Sequence, residues 1–480
     1  MSDLGDLDAT AQAELVRAGQ ATPAELVDAA IQRIEAVNPE LNAVIIPMFE
    51  EARAAAGAKL PEGPFRGVPI LLKDLDGALG GAPYHKGMKA LKDASYVAPH
   101  DDTNIARLKQ AGFVVCGKTN TPELGLLPTT EPEIYGPTRN PWDTSRSSSG
   151  SSGGSAAAVA SGMVPVATAG DGGGSIRTPA AFCGLFGLKP TRDRVPVGPD
   201  VGEGWSGLVV RGAITRTVRD TAAVLDVLGA PEPGAPRHAP PLPRPLAEEV
   251  GRDPGRLRIG VRTSVPTGSA ELTPEAAAAV ASVAALLSDL GHTVEESSPE
   301  ALDDDTLVGQ FFPAFGSWVA REVDAAGESL GRTLGPDDME PGTWVLVEMG
   351  RATPGPQYLA AIEWLHRWAR QVQSWWSDGF DLLLTPTVPE PPIPLGQLAS
   401  TPDNPLAASM RAAALVPFTI PFNITGQPAA SIPLHWTDDG LPVGTQLVAT
   451  FGREDLLVRV ASQLEEARPW ADRRPPVSAT

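Results

Sequence analysis

Cysteine is almost missing from this chain: Cys116 and Cys183 are the only two, and both stand in apolar surroundings. That excludes a disulfide framework and a thiolate metal cage, and it reads as two small buried hydrophobes in a reducing compartment. Histidine is scarce as well, six in all, with no metal-ligand spacing among them. Basic charge falls far short of acidic charge. With 38 Lys and Arg against 58 Asp and Glu the net charge is -20, which repels phosphate backbones and argues against nucleic acid as a partner. The opening Met1-Ser2-Asp3-Leu4-Gly5-Asp6 has no apolar core of the secretory type. The uncharged stretch between Arg146 and Asp171 is dominated by Gly, Ser and Ala, which reads as a buried helix rather than a membrane span. A cytoplasmic location with no membrane partner is expected.

What the chain has in excess lies in that same stretch. Gly150-Ser151-Ser152-Gly153-Gly154-Ser155 is followed by Asp171-Gly172-Gly173-Gly174-Ser175-Ile176-Arg177. Serines supply hydroxyl nucleophiles. Glycine runs let several backbone N–H groups converge on one point, where an oxyanion can be held. Acyl transfer is the chemistry this combination suggests.

Elsewhere strands and helices alternate. Thr22-Pro23-Ala24-Glu25 is a capping box that opens a helix, ended by Asn38-Pro39. Strands are predicted at 42–47, 68–72, 113–116, 164–169, 257–261 and 381–385, and helices at 102–110, 155–162, 217–228, 274–290 and 453–464. A proline-crowded connector covers about 231–256. The region of about 300–375 is partly helical, rich in Phe and Trp, and variable in character. The alternation implies an α/β fold with a sheet covered on both faces.

Three motif readings compete. Gly112 to Thr119 fits the P-loop pattern letter for letter. Its four central residues are apolar and β-prone, however, so a strand lies inside the motif, and Asn120-Thr121-Pro122 blocks the helix that should follow. A lysine at a strand end explains Lys118 better. Gly150-Ser151-Ser152-Gly153-Gly154 formally matches a nucleophile elbow centred on Ser152. A loop precedes it instead of a strand, and His292, His366 and His435 lack supporting context. The third reading joins Lys73, Ser151 and Ser175. Gly172, Gly173 and Gly174 form an oxyanion hole before Ser175, and Lys73, at the end of the apolar strand Gly67 to Leu72, serves as base in the absence of a credible histidine. Burial there would favour a neutral amine. An ion-paired lysine beside Asp74 is the competing reading, and spacing alone leaves it standing.

Taken together, Gly67-Val68-Pro69-Ile70-Leu71-Leu72-Lys73-Asp74, Gly117-Lys118-Thr119-Asn120, the two Ser/Gly runs, Phe182-Cys183-Gly184, Gly187-Leu188-Lys189-Pro190-Thr191 and Gly440-Leu441-Pro442-Val443-Gly444-Thr445-Gln446 resemble the amidase signature family. The matches keep the family's order over nearly the whole chain. The resemblance implies one α/β/α domain over 1–480, with a mixed, mostly parallel sheet of about eleven strands. It also implies a Lys–cis-Ser–Ser triad: Ser175 as nucleophile, Ser151 as the bridging serine after a cis peptide, and Lys73 as base. Two departures stand out. The chain has Ser149-Gly150 where the family usually has Gly-Gly, and Gly172 where it commonly has Thr or Ile. Asp171 and Arg177 read as paired supports of the loop. Segments such as Ala36 to Pro47, Arg139-Asn140-Pro141-Trp142 and Gly452 to Leu457 are similar to the 6-aminohexanoate cyclic-dimer hydrolase-like branch, which implies linear or cyclic ω-amino acid amides, with aryl amides, carbamates and esters in related members.

Substrate choice is assigned elsewhere. The glycine-rich 197–210 segment reads as a mobile active-site loop carrying Trp205. Phe311, Phe312, Phe315, Trp318 and Trp344 either wall an apolar pocket or pack in the core. The reading is therefore an amidase without cofactor or metal, acting on a small-molecule amide or carbamate as a monomer or homodimer. Its alternatives are the glutaminase subunit of a tRNA-dependent amidotransferase and, from another class, a P-loop nucleotide-binding protein.

Overall fold

Pro69-Ile70-Leu71-Leu72-Lys73 buries every residue, and Val114–Thr119 buries all but Val115. Strands buried on both faces belong inside a layered α/β sheet, and that is where the computed structural model places them. It describes residues 4–266, 270–401 and 403–479. In chain order the strands are β1 (Val44–Pro47), β2 (Pro69–Lys73), β3 (Val114–Thr119), β4 (Arg139–Asn140), β5 (Asp143–Ser147), β6 (Val166–Asp171), β7 (Gly187–Lys189), β8 (Val210–Thr215), β9 (Arg258–Val261), β10 (Thr293–Glu296), β11 (Leu382–Pro386), β12 (Ala429–Trp436) and β13 (Pro442–Ala449).

Eleven of these form two ladders, ordered β1-β3-β2-β6-β8 and β10-β9-β11-β13-β12-β7. A bridge between Phe186 and Thr215 joins them beside β7 and β8. The sheet is mixed, as expected, but not mostly parallel. Among the described residues β2 runs parallel to β3 and β6, and β9 to β10 and β11; the other five pairings are antiparallel. The reason is connection length: β12 and β13 are joined by a tight turn in which Gly440 N–H bonds the Thr437 carbonyl, and a link that short permits only an antiparallel pair.

One hydrophobic cluster runs from Ala9 to Trp470 and includes residues of both ladders. A second lies between β2, β3 and β6 and the helices Pro23–Leu41 and Gly153–Ala160. The Phe- and Trp-rich region forms three helices, Leu307–Leu330, Pro341–Ala352 and Gly355–Ser374, with clusters of their own.

The capping box at Thr22 and Glu25 is formed. Pro39, read as a helix stop, lies inside the helix, which continues to Leu41 and ends on Asn42 in the left-handed region at φ 51. Asn38 shapes the exit instead: its Oδ1 accepts from the N–H groups of Ala43 and Val44. Strands β4, β5, β7, β8 and β10 fall where no strand was expected, and β5 occupies part of the stretch before Ser151 that reads as loop. In the connector, Leu246–Glu249 forms a short turn with Leu246 and Glu249 buried. Cys116 and Cys183 are free and buried. Burial pushes the Cys116 thiol up to about 12 and the Cys183 thiol higher still. Among the described residues no helix is long and apolar enough to cross a membrane, and no group of three or more His, Cys, Asp or Glu could hold a metal ion.

Candidate active site

Parallel neighbours β2 and β6 end at the same edge of the sheet, so Lys73 and the loop after Asp171 are delivered to one place. Thr168 of β6 fixes the end of β2, its Oγ1 accepting from Lys73 N–H at 2.8 Å. The Lys73 side chain is buried, and its Nζ donates to Ser151 Oγ at 2.8 Å and to Asp76 Oδ2 at 2.8 Å. The lysine is thus ion-paired, but with Asp76 rather than the neighbouring Asp74. Asp74 is taken by Lys118 at 3.4 Å. Burial raises the Asp74 carboxyl to about 6 against the pull of Lys118. Lys118 is itself enclosed, donating to the Pro83 carbonyl at 2.5 Å and lying 4.6 Å from the Tyr84 ring centre. The P-loop pattern is therefore strand β3 with a buried lysine, and no phosphate cradle exists there.

The peptide bond between Gly150 and Ser151 is cis. Gly150 can be nothing larger, because a Cβ would lie 2.5 Å from the Thr129 backbone. Ser149 adopts φ 63, and its Oγ donates to the Pro128 carbonyl at 3.2 Å and bonds Thr178 Oγ1 at 3.1 Å. A serine thus occupies, with two hydrogen bonds, a backbone region that glycine enters freely. Ser152, the centre of the elbow pattern, is buried with its Oγ on the Gly170 carbonyl at 3.3 Å. None of His292, His366 or His435 borders the cavity described below.

Ser175 follows the glycine loop. Its hydroxyl makes no hydrogen bond among the described residues, and it borders the same cavity as Ser151. Lys73 and Ser151 are therefore in contact, while Ser175 shares with Ser151 the lining of one cavity. The three glycines are not equivalent. Gly174 N–H donates to Asp171 Oδ1 at 2.8 Å, which removes it from the expected oxyanion donors. The amides of Gly172, Gly173 and Ser175 meet no protein acceptor among the described residues. Gly174 has φ 138, and a Cβ there would lie 2.5 Å from Thr419 Oγ1.

Asp171 and Arg177 are paired as expected, and three residues outside that expectation complete the support. Arg177 donates to the Thr419 carbonyl at 2.9 Å, to Gln446 Oε1 at 2.7 Å and to Asn423 Oδ1 at 2.6 Å. Asn423 Nδ2 returns to Asp171 Oδ1 at 2.8 Å. Gln446 ends one of the motifs singled out in the sequence. Thr419 and Asn423 carried no signal, since they join the loop only through the fold.

The cavity measures about 700 Å³. Leu75, Leu124, Phe311, Phe312, Phe315 and Ile420 give it an apolar wall, and Trp205 borders it too. Of the aromatic residues weighed for the pocket, Phe311, Phe312 and Phe315 are on its surface with Trp205 of the loop, whereas Trp318 and Trp344 are not. Trp318 stacks on Trp205 with ring centres 6.0 Å apart, and Trp344 belongs to the cluster around Phe312 and Phe315. The 197–210 segment is tied at several points. Gly198 accepts from Thr103 N–H at 2.9 Å, Gly207 from Arg192 Nε at 2.7 Å, and Ser206 Oγ bonds the Tyr358 hydroxyl at 2.7 Å.

The fold and this site define an amidohydrolase acting on C–N bonds other than peptide bonds. The family model described as Amidase matches residues 25–458, and the chain belongs to the amidase signature family. It is 46% identical over 475 residues to 6-aminohexanoate-cyclic-dimer hydrolase of Paenarthrobacter ureafaciens, covering 98% of this chain and 96% of that one. The solved structure of a 6-aminohexanoate cyclic dimer hydrolase complexed with substrate superposes with a TM-score of 0.95 at 44% identity, over 98% of this chain and 99% of the other. A bacterial aryl acylamidase structure gives a TM-score of 0.85 at 27% identity, over 97% and 98%.

Proposed function

We propose that the protein hydrolyses linear and cyclic amides of ω-amino acids and aryl amides, with carbamates and esters of similar shape, through an acyl-enzyme on Ser175. The observation that carries this reading is the 2.8 Å contact of Lys73 Nζ with Ser151 Oγ, which lines the same cavity as Ser175. Ser175 Oγ attacks the substrate carbonyl carbon and its proton passes to Ser151, whose own proton passes to Lys73. The carbonyl oxygen, now negative, takes hydrogen bonds from the free amides of Gly172, Gly173 and Ser175. Each such donor contributes about 3–4 kcal/mol in the transition state. The proton then returns through Ser151 to the leaving nitrogen, the C–N bond breaks, and an ester to Ser175 remains. Water attacks that ester by the same route, releasing the acid and restoring Ser175.

The apolar wall of Leu75, Leu124, Phe311 and Phe315 supports an uncharged aliphatic or aromatic substrate over glutamine, whose charged α-groups it would strand. The test is a panel of cyclic diamides, linear ω-amino acid amides, aryl amides, carbamates, esters and glutamine, with mass spectrometry of trapped enzyme. Acylation of Ser175, and its loss with activity in Ser175→Ala, is the expected result. An acyl group on Ser151 or Ser152, or glutamine as the best substrate, would overturn the reading.

A further inference from the structure

We propose that Asp76 is a positioning residue of the proton relay. Its carboxylate holds Lys73 Nζ against Ser151 Oγ and stabilises the charge that the amine acquires on accepting the serine proton. The inference rests on the lysine–serine relay proposed above.

The fold goes to some length to place this carboxylate. Asp76 has φ 64, in the left-handed region that side-chain-bearing residues seldom adopt. Its main-chain carbonyl is held by Asn104 Nδ2 at 3.0 Å, and Asn104 Oδ1 is held in turn by Arg211 at 3.0 Å. Opposite it stands Gly170, where a Cβ would lie 2.2 Å from Asp76 Oδ2. The glycine leaves the space that the carboxylate fills.

The neighbouring charged groups are already matched with one another. Asp74 pairs with Lys118, and Asp102 with Arg211 at 3.0 Å. Asp171 pairs with Arg177. Tyr84 is a buried phenol whose ionisation burial pushes well up, and Lys86 lies 5.2 Å from its ring centre. Asp76 is the carboxylate left to Lys73, at 2.8 Å, with the lysine 1% and the aspartate 15% exposed. The ammonium that forms when Lys73 takes the serine proton, buried that deeply, requires an anion in contact.

The chemistry parallels the carboxylate that orients a catalytic imidazole and stabilises its cation without taking the proton. Each proton that reaches Lys73 makes an N–H that faces Asp76. The proton leaves again through Ser151. The roles divide cleanly: Ser151 carries the proton, Lys73 stores it, and Asp76 balances its charge.

The test is the pH–rate profile of the full-length enzyme, Asp76→Asn and Asp76→Ala on one uncharged amide. In Asp76→Asn the plateau kcat should fall roughly 100-fold, the scale of a general-base contribution, with KM within about twofold. The acid limb of kcat should move to lower pH, because a neutral amide no longer favours the charged amine. In Asp76→Ala, added formate should restore activity at least in part, because the site opens onto the cavity, and it should not do so in Ser175→Ala. A kcat within threefold of the parent, or a loss with an unmoved acid limb and no response to formate, would overturn the proposal. Wild-type activity in Ser175→Ala would instead remove the relay on which it rests.

Discussion

Arg177 clasps Asp171 through two parallel bonds, Nε to Oδ2 at 2.9 Å and Nη2 to Oδ1 at 2.8 Å, with neither side chain exposed. Burial works to raise the Asp171 carboxyl, but the Arg177 guanidinium outweighs it and holds the group well below the usual carboxylate range. The same carboxylate accepts from the amides of Gly174 and Ile176, one on each side of Ser175. The pair therefore sets the shape of the turn that carries Ser175, the proposed nucleophile.

Arg177→Met should cost about 3–5 kcal/mol of stability, since it leaves Asp171 buried without its partner. Urea unfolding measures this directly. A loss below about 1 kcal/mol would mean that water or Asn423 replaces the guanidinium.

Ser149 offers a comparison of two small substitutions. Ser149→Gly relieves the left-handed backbone but forfeits the bonds to Pro128 and Thr178. Ser149→Ala forfeits the bonds and keeps the backbone penalty. The alanine variant should be less stable than the glycine variant by about 1 kcal/mol. Equal unfolding midpoints would show that the φ of 63 costs nothing here.

Glu123 and Glu340 give the protein a pH-dependent stability. Burial, with Glu340 close by, pushes the Glu123 carboxyl up to about 8, and burial pushes Glu340 up to about 7. Both remain protonated in the folded chain where the unfolded chain has already lost the proton. Stability from this pair is therefore full below the ordinary value of 4.5 and declines as pH rises towards 8. Melting temperatures at pH 6 and 8.5 should differ less in Glu123→Gln than in the parent. An unchanged difference would place the effect on other buried acids, such as Asp220 and Glu465.

Tyr358→Phe tests how Trp205 is held. The Tyr358 hydroxyl accepts from Trp318 Nε1 at 3.1 Å and bonds Ser206 Oγ at 2.7 Å, so it joins the 197–210 segment to the helices Leu307–Leu330 and Gly355–Ser374. Removing it should cost about 1–3 kcal/mol, because it leaves the Trp318 N–H without its acceptor. It should raise KM for amide substrates while kcat holds. Steady-state kinetics with unaltered KM would place Trp205 outside substrate binding.

Much of the candidate site is legible in the sequence because its members lie in short, unusual runs. Glycines that no ordinary strand needs, and serines that no ordinary core needs, mark 150–155 and 172–175. Lys73 is marked by ending an apolar strand. The contacts that complete the site were hidden because they depend on tertiary geometry. Asp74 is adjacent to Lys73 in sequence and Asp76 lies three residues on, yet Asp74 pairs with Lys118, and the left-handed turn at Asp76 brings the more distant carboxylate back to Lys73. Trp318 has the spacing of a pocket residue, but Trp205, from a distant segment, stacks on it. The short strands β7 and β10 lack a periodic signal of their own, and Pro39 lies too near its helix end to break it.

The two sealed cysteines have a practical consequence. Val201 and Val308 border the cavity mouth and are 51% and 44% exposed. In Val201→Cys or Val308→Cys the introduced sulfur would be the only accessible thiol, so a maleimide dye could be attached beside the entrance without first deleting a native cysteine. Its fluorescence would then report each substrate's arrival and each product's departure in real time.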